Sequence, residues 1–268
     1  MQDPQKLIQR FKSRVHVLDG GLATELEKRG HDISGKLWSA QVLLDDPGAI
    51  EQLHYDYLKA GADIIITSSY QLTFQGMKEA GYTHEQAEDA FHRSVEVAVK
   101  ARERYLSELD EDPPEDRKPL IAASIGPYGA YLADGSEYTA NYGSANSFEA
   151  LQAFHRERME FLAKTEADYF ALETIPTIFE GISCLAIAGD LNELPVMLTF
   201  SCRDGTHLCS GHPMSHVSEV VNQGTFWFLV GVGMNCTAPR HIVSLLNEIA
   251  ARETAPMVVY PNSGEDWD

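Results

Sequence analysis

The stretch VGVGMNCTAP, residues 230–239, is an apolar run that ends in Asn235 and Cys236, with a proline soon after. A cysteine packs as a small hydrophobe as readily as it reacts. At the end of an apolar strand in an α/β chain, however, it stands where catalytic side chains gather. Two carboxylates hold comparable places: Asp19 at the end of VHVLDG and Glu173 near the end of ADYFALET. Gly20 and Gly21 follow Asp19. Lacking side chains, they let a ligand approach backbone N–H groups able to hold a carboxylate. Asp19 and Glu173 are open to three readings: an acid–base pair, a clamp on a substrate ammonium group, or caps on the helices that follow. Together with Gly20 and Gly21 they suit a zwitterionic amino acid. A second constellation, THLCSGHPMSH, holds His207, Cys209, His212 and His216. Its residue types could ligate zinc, but its spacing fits no standard zinc motif. His54, His92 and His155 fall in helical segments and read as surface or core residues.

These side chains need elements to position them. Seven apolar runs, at 15–20, 62–70, 120–127, 167–174, 195–202, 226–236 and 256–264, are nearly continuous rather than alternating, as buried parallel strands are. Between them lie amphipathic segments at 47–61, 84–109, 147–165, 177–191, 215–223 and 238–253, several opened by Pro, Ser or Thr. Strand alternating with helix predicts a parallel sheet. DGGLATEL lacks the GxGxxG spacing of a dinucleotide fold. The predicted fold is therefore a (β/α)8 TIM barrel, a single domain over residues 1–268. Its strand ends would share one mouth: Asp19–Gly21, Thr67–Tyr70, Gly126–Tyr128, Glu173-Thr174, Ser201-Cys202, Asn235-Cys236 and Asn262-Ser263. Seven runs are one short of the eight such a barrel needs, so the eighth strand is expected to be missing and the sheet to carry a gap. The acidic, proline-containing LSELDEDPPEDRKP at 106–119 reads as a surface connection rather than a domain boundary.

Composition narrows the function classes. Lys and Arg total 21 against 40 Asp and Glu, a net charge of −19, which argues against a nucleic-acid partner. With 44% apolar residues the chain can bury a sizeable core. Its four cysteines form no CxxC pair, which suits a reducing compartment. The N-terminal MQDPQKLIQRFKSR has no signal-peptide core, and FWFLVGVGM is too short to cross a bilayer. A cytoplasmic protein with small-molecule partners and no membrane partner is expected.

LDGGLATELEKRG, LWSAQVLLDDP, HYDYLKAGADIIITSSYQ, ASIGPYGAYLADGSEYT, ALETIP, TFSCRDGTHLCSG, GMNCTAP and VVYPNSGE follow one another along the chain. No one of them decides the matter, but so many in order are specific. In them the sequence resembles the homocysteine S-methyltransferase family, in the branch that uses S-methylmethionine or S-adenosylmethionine. The resemblance implies a TIM barrel and a role in methionine biosynthesis. It implies zinc-dependent methyl transfer from a sulfonium donor to L-homocysteine, giving methionine. It implies that Asp19 and Glu173 hold the homocysteine amino group beside the Gly20 and Gly21 backbone, with Asn235 and Tyr70 also at the substrate. Cys236 would be the first of three zinc-ligating cysteines. The other two belong to a Gly-Gly-Cys-Cys motif on the eighth strand that this sequence lacks, and neither Cys202 nor Cys209 replaces them. Zinc deprotonates a coordinating thiol, whereas a free thiol, with a pKa of about 8.5, is mostly protonated at neutral pH. Trp38, Tyr70 and Tyr128 are aromatic candidates for the sulfonium charge. Smaller departures from the family pattern are Ala140 and His212, where Gly and Thr are expected. An alternative is a truncated, metal-free paralogue that binds homocysteine or another amino acid without catalysis. An unrelated TIM-barrel lyase using Asp19 and Glu173 as acid and base leaves the motif series unexplained.

Overall fold

A computed structural model describes residues 3–35, 37–223, 226–250 and 255–263. In chain order the elements are α1 (Pro4–Ser13), α2 (Leu22–Lys28), α3 (Ser39–Asp45), α4 (Pro47–Lys59), β1 (Ile64–Ile66), α5 (Phe74–Glu79) and α6 (His84–Ser107). Then come β2 (Leu120–Ile125), α7 (Tyr128–Leu132), α8 (Ser136–Thr139), α9 (Phe148–Leu162), β3 (Tyr169–Ile175) and α10 (Ile178–Leu191). The chain continues through β4 (Val196–Phe200), α11 (Met214–Gln223), β5 (Leu229–Asn235), α12 (Pro239–Ala250) and β6 (Met257–Tyr260). The sheet order is β1-β2-β3-β4-β5-β6, and the β1–β2, β4–β5 and β5–β6 ladders are parallel. Strands laid side by side in sequence order with helices between them are the succession of a (β/α) barrel. Among the described residues six strands form ladders, two fewer than the eight of a closed barrel. No helix among them is long and apolar enough to cross a membrane.

The expected strand at 15–20 shrinks to one parallel bridge, Leu18 to Ile64. Its backbone is drawn elsewhere, for the Val17 N–H donates to the Asp63 carboxylate at 2.9 Å, and Arg14 holds the same carboxylate. Val15 and Val17 also face solvent, at 86% and 54% exposure, so little burial favours a longer ladder. The run at 62–70 pairs only over Ile64–Ile66. Beyond it hydroxyls take over from the ladder: Thr67 Oγ1 accepts from Ser124 N at 3.0 Å and Ser69 Oγ donates to Ser124 O at 2.8 Å. By contrast β2, β3, β4 and β5 are buried along their whole length, as their nearly continuous apolar sequences favour. Residues 251–253 of the last expected helix and Gly264 of the last expected strand lie outside the described residues.

The chain divides into two compact units, one of Arg14–Ile125 with Glu157–Phe170, the other of Met1–Ser13, Gly126–Arg156 and Ala171–Asp268. In the first, α4 lies against α6, and the Arg104 guanidinium sits 3.8 Å over the Tyr55 ring. Leu26, Val42, Leu43, Ile50, Leu53 and Val97 form a core cluster. Helix ends are set by side chains: Asp46 caps α4 ahead of Pro47, and Thr83 with Gln86 closes a capping box on α6. In the second unit, α1 lies against β5 and β6 pairs with β5. The alternating glycines of VGVG account for that pairing. A Cβ at Gly233 would stand 1.8 Å from Val258 O, and one at Gly231 2.8 Å from Val258 Cγ2. Only glycine lets β6 come this near.

His54, in α4, is fully buried, and neither ring nitrogen has a hydrogen-bond partner. Burial lowers its pKa from 6.5 to about 4. The folded chain keeps the ring neutral while the unfolded chain protonates it, so stability that is complete above pH 6.5 is lost as pH falls toward 4. The group's share is about 3 kcal/mol. Urea denaturation at pH 7 and pH 4 should show that much less pH dependence in His54→Leu than in the parent. Equal pH dependence in the two would exclude His54 as its source.

Candidate active site

Within the second unit, the ends of β3 and β5 carry Glu173, Thr174, Asn235 and Cys236. Asn235 is fully buried and exchanges two hydrogen bonds with Thr174: Thr174 N donates to Oδ1 at 2.7 Å, and Nδ2 donates to Thr174 Oγ1 at 2.8 Å. Both strand ends leave the extended region, with Thr174 at φ 60° and Cys236 at φ 45°. A β-branched residue in the left-handed region is costly, and surrounding structure must over-determine it. The Asn235–Thr174 exchange supplies that constraint. The result is a fixed sulfur: Thr174 Oγ1 lies 3.5 Å and Asn235 Nδ2 3.4 Å from Cys236 Sγ. Burial pushes the Cys236 thiol up to about 11 against the pull of the Thr174 hydroxyl, and the Glu173 charge adds to the rise. Glu173 Oε2 accepts from the Tyr260 hydroxyl at 3.0 Å, and that hydroxyl is 2.8 Å from Thr199 Oγ1. Burial beside Glu173 holds the Tyr260 phenol well above its ordinary range.

The connection after β2 forms another wall. Its anchor is Glu180 of α10, a fully buried carboxylate that accepts from Tyr128 N at 2.5 Å and the Tyr142 hydroxyl at 2.7 Å, and lies 2.9 Å from His155 Nε2. The Tyr128 ring is occupied in packing, 5.3 Å from Tyr142 and 4.8 Å from Phe154. Gly129 lets α7 meet α8, since a Cβ there would stand 2.3 Å from Glu137 N. Asp134 caps the start of α8 through Ser136, and Ser201 Oγ donates to Glu137 O at 3.0 Å. So held, Tyr138 directs its phenol to the Cys236 sulfur, with the Glu137 charge also felt there. Glu137 and Tyr138 escaped the sequence reading, which looked to strand ends for chemistry. GSEYT sits ten residues past one, and only the α7–α8 turn returns it.

The histidine- and cysteine-rich stretch folds back on itself through antiparallel bridges Cys202–Leu208 and His207–Pro213. His207 Nδ1 lies 3.0 Å from Asp204 Oδ1, and His212 Nδ1 lies 3.0 Å from Ser210 Oγ. His212 and His216 line a groove of about 370 Å³ with Phe148, Phe179 and Val220. Burial pushes the Cys202 thiol up to about 12 and raises that of Cys209.

In the other unit, Asp19 Oδ2 accepts from Ile66 N at 2.8 Å, which pins the carboxylate to β1. Gly21 stands at the N-cap of α2 with no side-chain cap, and Thr177 caps α10, so neither Asp19 nor Glu173 serves as the cap of the helix after it. Gly20 lies against Tyr57, whose hydroxyl would be 2.8 Å from a Cβ. Burial and nearby Glu25 and Asp19 push that phenol up to about 12. Tyr70 and Trp38 place their ring centroids 6.5 Å apart.

A profile described as homocysteine S-methyltransferase matches residues 16–268. The chain belongs to the homocysteine S-methyltransferase family. It is 45% identical over 255 residues to homocysteine S-methyltransferase 2 of Zea mays, covering 94% of this chain and 74% of that protein. It is 43% identical over 252 residues to homocysteine S-methyltransferase YbgG of Bacillus subtilis, covering 94% and 78%. Among solved structures, the metallated form of the homocysteine methyltransferase MmuM from Escherichia coli superposes with a TM-score of 0.86 at 40% identity, covering 94% of this chain and 85% of that one. The chain is therefore a methyltransferase acting on the homocysteine class of acceptor. A zinc centre of the kind the sequence resemblance implies takes three protein ligands and an open position. Among the described residues no group of three or more His, Cys, Asp or Glu could hold a metal ion. The described residues alone do not compose such a centre.

Ala140 stands where the sequence resemblance leads to an expectation of glycine, and its backbone takes the conformation that favours glycine: it closes α8 at φ 57°. A left-handed alanine costs about 1–2 kcal/mol, part of which glycine forfeits in the unfolded chain. Ala140→Gly should stabilise the protein by about 0.5–1 kcal/mol and raise Tm by about 2–4 °C in calorimetry. An unchanged or lower Tm would show that the left-handed turn is not strained.

Proposed function

We propose that the protein transfers the methyl group of a sulfonium donor, S-methylmethionine or S-adenosylmethionine, to the sulfur of L-homocysteine, giving methionine. The observation that carries this reading is the Cys236 sulfur held between Thr174 and Asn235 with the Glu173 carboxylate nearby. In the transfer a lone pair on the homocysteine sulfur forms the new C–S bond. The donor's C–S bond breaks with its pair left on the donor sulfur, which departs as a neutral thioether. The thiol proton goes to solvent.

The carboxylates of Asp19 and Glu173 are assigned to the substrate ammonium and the backbone N–H groups of Gly20 and Gly21 to its carboxylate, with Asn235 and Tyr70 also at the substrate. Support for Glu173 is its anchoring by Tyr260, and for Asp19 its anchoring by Ile66 N; each carboxylate is aimed before a ligand arrives. Zinc belongs to the same proposal, with Cys236 as one of its ligands. It would lower the pKa of a bound thiol.

Asp19→Ala and Glu173→Ala should each weaken homocysteine binding about ten- to a hundred-fold, the cost of a charge-assisted hydrogen bond of about 1.5–3 kcal/mol. Titration calorimetry decides this, and unchanged affinity in a variant removes that residue from the ammonium site. Residues 1–268, purified alone, should carry well under one zinc per chain by atomic absorption, because one thiolate is too few. A stoichiometric zinc that survives Cys236→Ser would take Cys236 out of the ligand set.

A further inference from the structure

The donor in this reaction brings a positive charge to the accepting sulfur. A sulfonium has no N–H or O–H, so the group that recognises it offers negative charge and aromatic faces rather than hydrogen-bond donors. Around Cys236 most polar groups are already engaged. Thr174 and Asn235 are buried and bonded to each other, and Glu173 accepts from Tyr260. Two side chains on α8 differ. Glu137 has a buried carboxylate oxygen, Oε2, with no hydrogen-bond partner. A buried acceptor left this way is costly unless something completes it. Tyr138, the next residue, reaches the Cys236 sulfur with its hydroxyl yet leaves 48% of its surface open. Main-chain contacts, Ser201 Oγ on Glu137 O and Gly129 against Glu137 N, fix the backbone that carries the two side chains.

We propose that Glu137 and Tyr138 form the subsite for the sulfonium centre of the methyl donor, the carboxylate opposing its charge and the phenol ring lying along its methyl groups beside Cys236. The assignment rests on the methyltransferase reading of the same site. It makes these two residues determinants of donor specificity, separate from the carboxylates assigned to homocysteine.

The test compares S-methyl-L-methionine with L-methionine, which shares its amino and carboxyl groups but has a neutral thioether. Titration calorimetry on the purified chain gives the ratio of their dissociation constants. The parent should prefer the sulfonium by at least about ten-fold. Glu137→Gln and Tyr138→Ala should each reduce that preference to near unity while homocysteine affinity stays within about two-fold. Tyr138→Phe, which keeps the ring and loses only the hydroxyl, should retain the preference. Unchanged Tm in Glu137→Gln, whose side chain holds no partner through Oε2, separates recognition from folding. A preference that survives both Glu137→Gln and Tyr138→Ala overturns the subsite and leaves the homocysteine reading standing. A Tyr138→Phe variant as impaired as Tyr138→Ala overturns the role of the ring. A parent that binds neither homocysteine nor S-methyl-L-methionine overturns the underlying functional reading and the subsite with it.

Discussion

The reciprocal pair between the Asn235 amide and Thr174 is the interaction on which the second unit's site depends. It ties the end of β5 to the end of β3 across β4, using both a backbone N–H and a hydroxyl. A buried amide that lost either partner would leave a polar atom unsatisfied, at about 1–3 kcal/mol. The pair also holds Thr174 and its neighbour Cys236 in the left-handed region, which puts the Cys236 sulfur and the Glu173 carboxylate at fixed positions on the strand ends either side of β4. Strain at Thr174 and Cys236 is therefore tolerated because it is shared with a bond network that has one arrangement.

Charge and burial then act together on that sulfur. Desolvation alone favours the thiol, and Glu173 and Glu137 add negative potential. The surroundings are thus unsuited to an isolated thiolate and well suited to positive charge, whether from a cationic ligand or a metal. The chain's net charge of −19 is a broad expression of the same bias, but the local carboxylates are what bear on the Cys236 sulfur.

Much of this was readable in the amino-acid order. The nearly continuous apolar runs that became β2 to β5 admitted little besides buried parallel strands, and the long helices α4, α6, α9 and α10 fell where periodicity and capping residues put them. The run at 15–20 was misleading because a strand needs partners for its N–H groups, and the Asp63 side chain captured the one on Val17. The strand-end residues Glu173, Asn235 and Cys236 were legible because topology forces strand ends to one side of the sheet. Glu137 and Tyr138 were not, since their position is fixed by Glu180, a buried carboxylate 42 residues beyond Tyr138 whose bonds to Tyr128 and Tyr142 no local pattern announces. Ala140 was visible as an oddity, but the reason for it is a dihedral angle.

The glycines at 231 and 233 bear on more than the packing of two strands. β6 carries Tyr260, whose carbonyl accepts from Cys236 N and whose hydroxyl steadies Glu173. Every single-base change in a glycine codon that yields another amino acid adds a Cβ, and at 233 that atom would fall on the Val258 carbonyl. The smallest genetic error there would push β6 outward and drag the Tyr260 hydroxyl from the carboxylate. Damage at a position with no side chain and no chemistry of its own would then register at a carboxylate on another strand.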